Sequence, residues 1–174
     1  MTIKRLWAPW RHPYIRTAGS GKARKGCLFC QKGLSRSPAR DLLLTRGRYA
    51  FSLLNLFPYN NGHLMAAPYR HVGQISDLTQ EEWLDLFRVA DDAIARLNRV
   101  LRPQGLNLGI NVGRAAGAGI PDHLHLHIVP RWTGDTNFMP ICADTKVVSQ
   151  SLQEARRLLK QVRVPARRAR RSRR

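Results

Sequence analysis

From His123 to Val129 the chain reads His-Leu-His-Leu-His-Ile-Val, a period-two alternation that sets three imidazoles on one face of an extended segment and aliphatic side chains on the other. Just upstream, Leu106, Leu108, Ile110 and Val112 alternate with Asn107, Gly109, Asn111 and Gly113, which predicts a neighbouring strand with one buried face. Arg48 to Asn55 and His63 to Pro68 are apolar runs separated by the turn-rich Phe57-Pro-Tyr-Asn-Asn-Gly62, and they read as a hairpin. Between the two strand pairs the period changes. Trp83, Phe87, Ala90, Ile94, Leu97 and Leu101 recur at three- and four-residue steps, so a long helix is expected from Glu81 to Leu101. It opens on the capping box Thr79-Gln-Glu-Glu82 and closes at Pro103 and Gly105. A shorter helix from Ser151 to Gln161 would bury Leu152, Ala155, Leu158 and Leu159. Adjacent strands joined by short loops predict an α+β domain with a mainly antiparallel sheet.

With 174 residues, 43% of them hydrophobic, the chain can build one substantial core. The net charge of +19 would suggest a nucleic-acid-binding face, but its distribution weakens that inference. Residues 1–40 hold ten Lys or Arg without an acid, residues 156–174 hold another ten without an acid, and the centre is nearly neutral. Residues 1–26, with Trp7, Trp10 and Tyr14, are expected to form a basic arm packed by its aromatics, and residues 31–41 a polar mobile loop. Residues 27–162 would form the folded domain, and 163–174 a disordered Arg-rich tail with at most a non-specific, salt-sensitive attraction to nucleic acid. No apolar run reaches the roughly 18 residues of a membrane span. The first residues lack the apolar stretch of a secretory signal, so no membrane association and a cytoplasmic location are expected.

Three of the six histidines fall within five residues, and imidazole supplies a nucleophile, a proton donor or a metal ligand near neutral pH. A catalytic metal centre made from all three is disfavoured, because rings spaced two apart on a flat strand do not converge on one ion. Cys27-Leu-Phe-Cys30 is a second candidate for chemistry, either a redox pair or half of a metal site. Cys142 reads as an ordinary buried thiol.

The histidine segment, with the small-residue loop before it and Pro130-Arg131-Trp132 after it, resembles the histidine triad (HIT) family of nucleotide-binding hydrolases and transferases. Asn55, Gly62-His63-Leu-Met and Pro68-Tyr-Arg-His71 extend the resemblance over residues 27–140. Leu106-Asn-Leu-Gly-Ile-Asn111, Ala116-Gly-Ala-Gly-Ile-Pro-Asp-His123 and Pro130-Arg-Trp-Thr-Gly-Asp-Thr-Asn-Phe-Met139 are similar to the bacterial branch acting on diadenosine polyphosphates.

The resemblance implies a HIT-like fold and a nucleotidyl hydrolase, or a phosphorylase, that works through a covalent nucleotidyl-histidine. His125 would be the nucleophile, His127 a phosphate contact and Asn111 a contact to the phosphates or leaving group. Asn55 would hold the ribose, although an Asn before a turn is more often a turn former. Gly119 stands where other branches carry a hydroxyl or amide residue, so backbone amides or Arg114 would take over phosphate contact. His63 would be structural, hydrogen-bonded within its hairpin. Cys27, Cys30, His71 and His123 would together bind a structural Zn²⁺. The resemblance further implies an adenine dinucleotide substrate, with Mg²⁺ as an ion that could accompany it, and a homodimer. The competing readings are a nucleoside phosphoramidate hydrolase and a non-catalytic module binding nucleotides or nucleic acid.

Overall fold

A computed structural model of the chain describes residues 26–135, 150–162 and 164. The expectations for the aromatic arm, Cys142 and nearly all of the Arg-rich tail lie outside the described residues. The strands are β1 (Leu43–Arg46), β2 (Ala50–Leu54), β3 (Leu64–Pro68), β4 (Gly105–Ile110) and β5 (Leu126–Arg131). They form one sheet in the order β1-β2-β3-β5-β4, with every neighbouring pair antiparallel. The α-helices are α1 (Leu28–Gly33), α2 (Gln80–Val100) and α3 (Leu152–Gln161). None of them is long and apolar enough to cross a membrane.

Alternation along the strands sorts side chains into two cores. Ala50, Leu54, Leu64, Ala66, Leu126 and Ile128 face α2 and α3, while Phe51, Leu53, Met65 and Ala67 join Phe29 of α1 in a second cluster. Burial on both sides explains why β2 and β3 read as nearly continuous apolar runs. The hairpin is confirmed, with Ala50 opposite Pro68 and Leu54 opposite Leu64. Gly62 closes it in a left-handed conformation (φ +74°).

Thr79 caps α2 as expected, its hydroxyl accepting from the Glu82 amide while Glu82 reaches back to the Thr79 amide. The expected stripe is off by about one residue. Leu86, Val89, Ala90, Ala93 and Leu97 are buried, whereas Phe87 is 51% exposed and stacks on Trp83 with ring centroids 5.5 Å apart. Ser151 caps α3 by accepting from the Glu154 amide.

Three further expectations need correction. The sequence pattern does not reveal β1 or α1, and the residues between them are not a loose loop. Lys32 donates to the Asp41 carbonyl, Ser35 bonds the Asp41 carboxylate, and Arg46 donates to the Gly33 carbonyl at 2.7 Å. β4 does not bury one face, since Leu108 is 48% exposed and Val112 lies beyond the strand end. It is an edge strand, and only Leu106 and Ile110 reach the core. Finally, the histidine strand begins at Leu126, leaving His123 and His125 ahead of it. Its partner β3 ends at Pro68, which has no N–H with which to continue the ladder.

Candidate functional site

The period-two alternation survives although the ladder stops. Leu124, Leu126 and Ile128 enter the helix-side core, and the rings of His125 and His127 lie together on the opposite face with centroids 4.9 Å apart. Both His123 and His125 are buried, so their protonation is set by protein partners. Backbone partners have fixed roles and therefore assign the tautomers.

His125 Nδ1 lies 2.8 Å from the carbonyl of His123, which can only accept, so Nδ1 carries the proton and Nε2 keeps its lone pair. Burial lowers the His125 pKa, opposed by that hydrogen bond, and favours the neutral ring. Phe29, which lies between the two cysteines in sequence, packs on the His125 ring at 4.7 Å and on His123 at 5.2 Å.

A second chain of bonds sets His127. The Tyr59 amide donates to His63 Nδ1 at 3.0 Å, and Asn55 Nδ2 approaches the same nitrogen at 3.3 Å. The proton of His63 is then on Nε2, which donates to His127 Nδ1 at 2.9 Å. Neutral His127 consequently carries its own proton on Nε2. His63 is fully buried, and desolvation, followed by repulsion from His127 and His125, pushes its pKa down to about 3. One ring thus presents a lone pair and its neighbour an N–H. The expectation that His63 is hydrogen-bonded within the hairpin is met, and the bond to His127 adds a positioning role.

His127 and Asn111 line a cleft of about 410 Å³ along β4 and β5. Tyr59 forms one wall, its ring stacked 5.7 Å from that of His127. Asp135 braces the far end by accepting from Arg131 Nε at 2.6 Å and Asn60 Nδ2 at 2.8 Å, while Arg131 also donates to Asn107 Oδ1. Asn55, Arg114, Gly119 and His125 do not line this cleft, and His125 adjoins it through the ring of His127. Asn55 Oδ1 accepts from the Phe57 amide at 3.0 Å, as a turn former does. Arg114 is exposed on a short 3-10 turn, and Gly119 is half-buried in the loop ahead of His123. Sequence reasoning missed Phe29, Tyr59 and the Asp135 network. An aromatic inside a Cys-x-x-Cys and another four residues before a buried histidine were the signals for the first two.

Cys27, Cys30, His71 and His123 bring one donor atom each to within 4.8 Å of one another. His123 Nε2 lies 2.9 Å from the Pro68 carbonyl and so carries the proton, turning the Nδ1 lone pair toward Cys27 Sγ at 3.2 Å and His71 Nδ1 at 3.3 Å. Burial, a hydrogen bond that the Cys30 thiol donates to Cys27, and the negative charge of a Cys27 thiolate raise the Cys30 pKa. A divalent cation would reverse that preference by stabilising the thiolate. Two thiolates and two imidazoles with every position supplied by protein suit a closed tetrahedral site, so this group can hold a metal.

The HIT domain family matches residues 39–134. The chain belongs to the HIT family. It is 39% identical over 161 residues to a protein of Mycobacterium tuberculosis named AP-4-A phosphorylase, an alignment covering 90% of this chain and 83% of that one. It is 33% identical over 101 residues to the asymmetrical bis(5'-nucleosyl)-tetraphosphatase of Schizosaccharomyces pombe, covering 58% and 55% of the two chains. Among solved structures it is similar to a Zn-bound histidine triad family protein from Mycobacterium smegmatis, with a TM-score of 0.59 and 26% identity, over 78% of this chain and 91% of that one.

Proposed function

We propose that this HIT protein is an enzyme that cleaves diadenosine polyphosphates through a nucleotidyl-His125 intermediate. The observation that carries the reading is the paired tautomer assignment: His125 Nδ1–H is tied to the His123 carbonyl, which leaves the Nε2 lone pair, and His127 is set by His63 to carry Nε2–H. His125 Nε2 attacks the α-phosphorus, the bond to the bridging oxygen breaks, and the remaining polyphosphate leaves with the electron pair. The positive ring that results keeps its Nδ1–H on the carbonyl. His127 donates to a non-bridging oxygen as charge develops there. An acceptor then displaces the nucleotide from His125, water giving AMP and inorganic phosphate giving ADP.

Likeness to the M. tuberculosis AP-4-A phosphorylase supports phosphate as the acceptor. Asn111, at the cleft, contacts the phosphates or leaving group in this reading. In this reading the substrate extends beyond the cleft that His127 and Asn111 line, so that Asn55, besides its turn bonds, holds the ribose, and Arg114 with the Gly119 backbone contacts the phosphate chain. Zn²⁺ in the Cys27, Cys30, His71 and His123 set would tie α1 to the residue that orients the nucleophile, a structural role. Mg²⁺ would enter with the nucleotide. The catalytic unit comprises residues 27–162 and works in the cytoplasm as a homodimer. The exposed β4 edge with Leu108, and exposed Leu84 and Phe87 on α2, support the dimer.

The test is incubation with diadenosine tetraphosphate, with and without inorganic phosphate, and chromatography of the nucleotides. ATP plus ADP formed only with phosphate is expected. ATP plus AMP without phosphate would assign water as the acceptor, and no turnover of any dinucleotide would refute the reading.

A further inference from the structure

The floor of the cleft beside His127 is built from two neighbouring strands. His127, Val129 and Arg131 of β5 and Asn107 and Gly109 of β4 share one face of the sheet, with Gly109 opposite His127 and Asn107 opposite Val129. From His127 to Arg131 this floor runs about 13 Å, at ~3.3 Å per residue. His125 precedes β5 and adjoins the cleft at the His127 end, where Asn111 also lies just past β4. With His125 read as the nucleophile, on which the inference rests, a nucleotide held at its Nε2 stands outside the cleft. The half of the dinucleotide that departs is then the half that can lie along the floor.

The far end is shaped for a neutral group. Among the described residues, Arg131 and Asp135 are the only Lys, Arg, Asp or Glu side chains lining the cleft, and Arg131 Nε and Nη2 donate to the Asp135 carboxylate at 2.6 and 3.0 Å. Their charges cancel, so this end does not draw in a polyphosphate. Arg131 Nη1 also donates to Asn107 Oδ1 at 2.8 Å. A guanidinium only donates, so the Asn107 amide is fixed with its oxygen toward Arg131, and its Nδ2 hydrogens remain for a ligand. Asp135 further accepts from Asn60 Nδ2 and the Trp132 amide, which holds the arrangement in place.

Between the two ends the floor is apolar and open. Val129 is half-buried, and a Cβ added at Gly109 would meet nothing within 4 Å. A planar ring can settle on Val129 beside the bare β4 backbone, where a side chain at position 109 would obstruct it. An apolar floor ending in a few fixed polar groups suits a purine nucleoside.

We propose that Gly109, Val129, Asn107 and Arg131 form the subsite for the second nucleoside, the one that departs with the polyphosphate. Its purine base lies on Val129 beside Gly109, Asn107 Nδ2 donates to a ring nitrogen of the base, and its phosphates stay at the Asn111 end.

The experiment measures binding apart from turnover, by calorimetry on the whole chain carrying His125→Ala. Diadenosine tetraphosphate is compared with the methyl ester of adenosine 5'-tetraphosphate, which keeps the phosphate bridge and its charge but lacks the second nucleoside. The dinucleotide should bind about tenfold tighter, the weight of one to two hydrogen bonds. Adding Asn107→Ala should narrow that ratio, and adding Gly109→Val, a change into open space on an edge strand, should bring it to within about twofold. Equal affinity for the two ligands, or a ratio that neither variant alters, would overturn the subsite. Dinucleotide turnover by the parent chain is followed in parallel and tests the nucleophile separately. A tenfold ratio that both variants narrow, in a chain without turnover, would support the subsite and refute the reading of His125. Turnover with a ratio of one would leave the nucleophile standing and refute the subsite.

Discussion

The backbone carbonyl of His123 accepts the Nδ1–H of His125 at 2.8 Å, while the His123 ring turns its Nδ1 toward Cys27. One residue therefore belongs both to the group that can hold a metal and to the alignment of the proposed nucleophile. Cys27→Ser should lower bound metal below one ion per chain and reduce Tm, measured by elemental analysis and calorimetry. Turnover should fall only in part, because the bond from His125 to a backbone carbonyl does not need the metal. Complete loss of turnover with an unchanged Tm would show the metal to be catalytic.

His63 connects the Tyr59 amide to His127, so replacing it removes the device that fixes the His127 tautomer. His63→Phe should lower kcat on the order of 10²-fold with a much smaller change in KM. It should also cost about 1–3 kcal/mol of stability through the donors and acceptor left without their partner. Steady-state kinetics beside urea unfolding separates the two effects, and an unchanged kcat would remove His63 from the account.

The same residue makes stability sensitive to acid. His63 has a folded pKa of about 3 against an ordinary value of 6.5, so the unfolded chain binds its proton first as pH falls. The contribution from neutral His63 is therefore complete above about pH 6.5 and is lost progressively between there and about pH 3. Unfolding free energies measured across that window should decline less steeply in His63→Phe than in the parent. Parallel curves would contradict the assignment.

How much of this was legible in the sequence depended on whether the signal was local. The α2 capping box and the β2–β3 hairpin were readable because Thr79, Glu82 and the turn residues act within a few positions. β1 was not, because Leu43–Arg46 is too short for a period and is held by pairing with β2. Phe87 was misassigned to the buried face because hydropathy records preference for a nonpolar environment, not which face of a helix is covered. In the site, the imidazole alternation revealed the shared face of His125 and His127. The tautomers depended on the Pro68 and His123 carbonyls and the Tyr59 amide, which no residue pattern encodes. The four candidate metal ligands came from resemblance, since Cys27 and His123 are distant in sequence.

Gly62 offers a test of the hairpin that carries His63. It has φ +74°, and an added Cβ would lie 2.5 Å from Leu101 Cδ1 and 3.1 Å from Leu97 Cδ2. Gly62→Ala should destabilise the fold by about 1–3 kcal/mol in urea unfolding. A change within about 0.5 kcal/mol, the range of an ordinary surface substitution, would mean that the turn adapts freely.

The central claim is that His125 carries the nucleotide during turnover. Mixing the enzyme with diadenosine tetraphosphate in the absence of inorganic phosphate, quenching in denaturant at alkaline pH and mapping peptides by mass spectrometry tests it directly. The account predicts a single adenylyl adduct on the peptide containing His125, discharged by added phosphate and missing from a folded but inactive His125→Ala. Turnover retained by His125→Ala, or an adduct located on another residue, would contradict it.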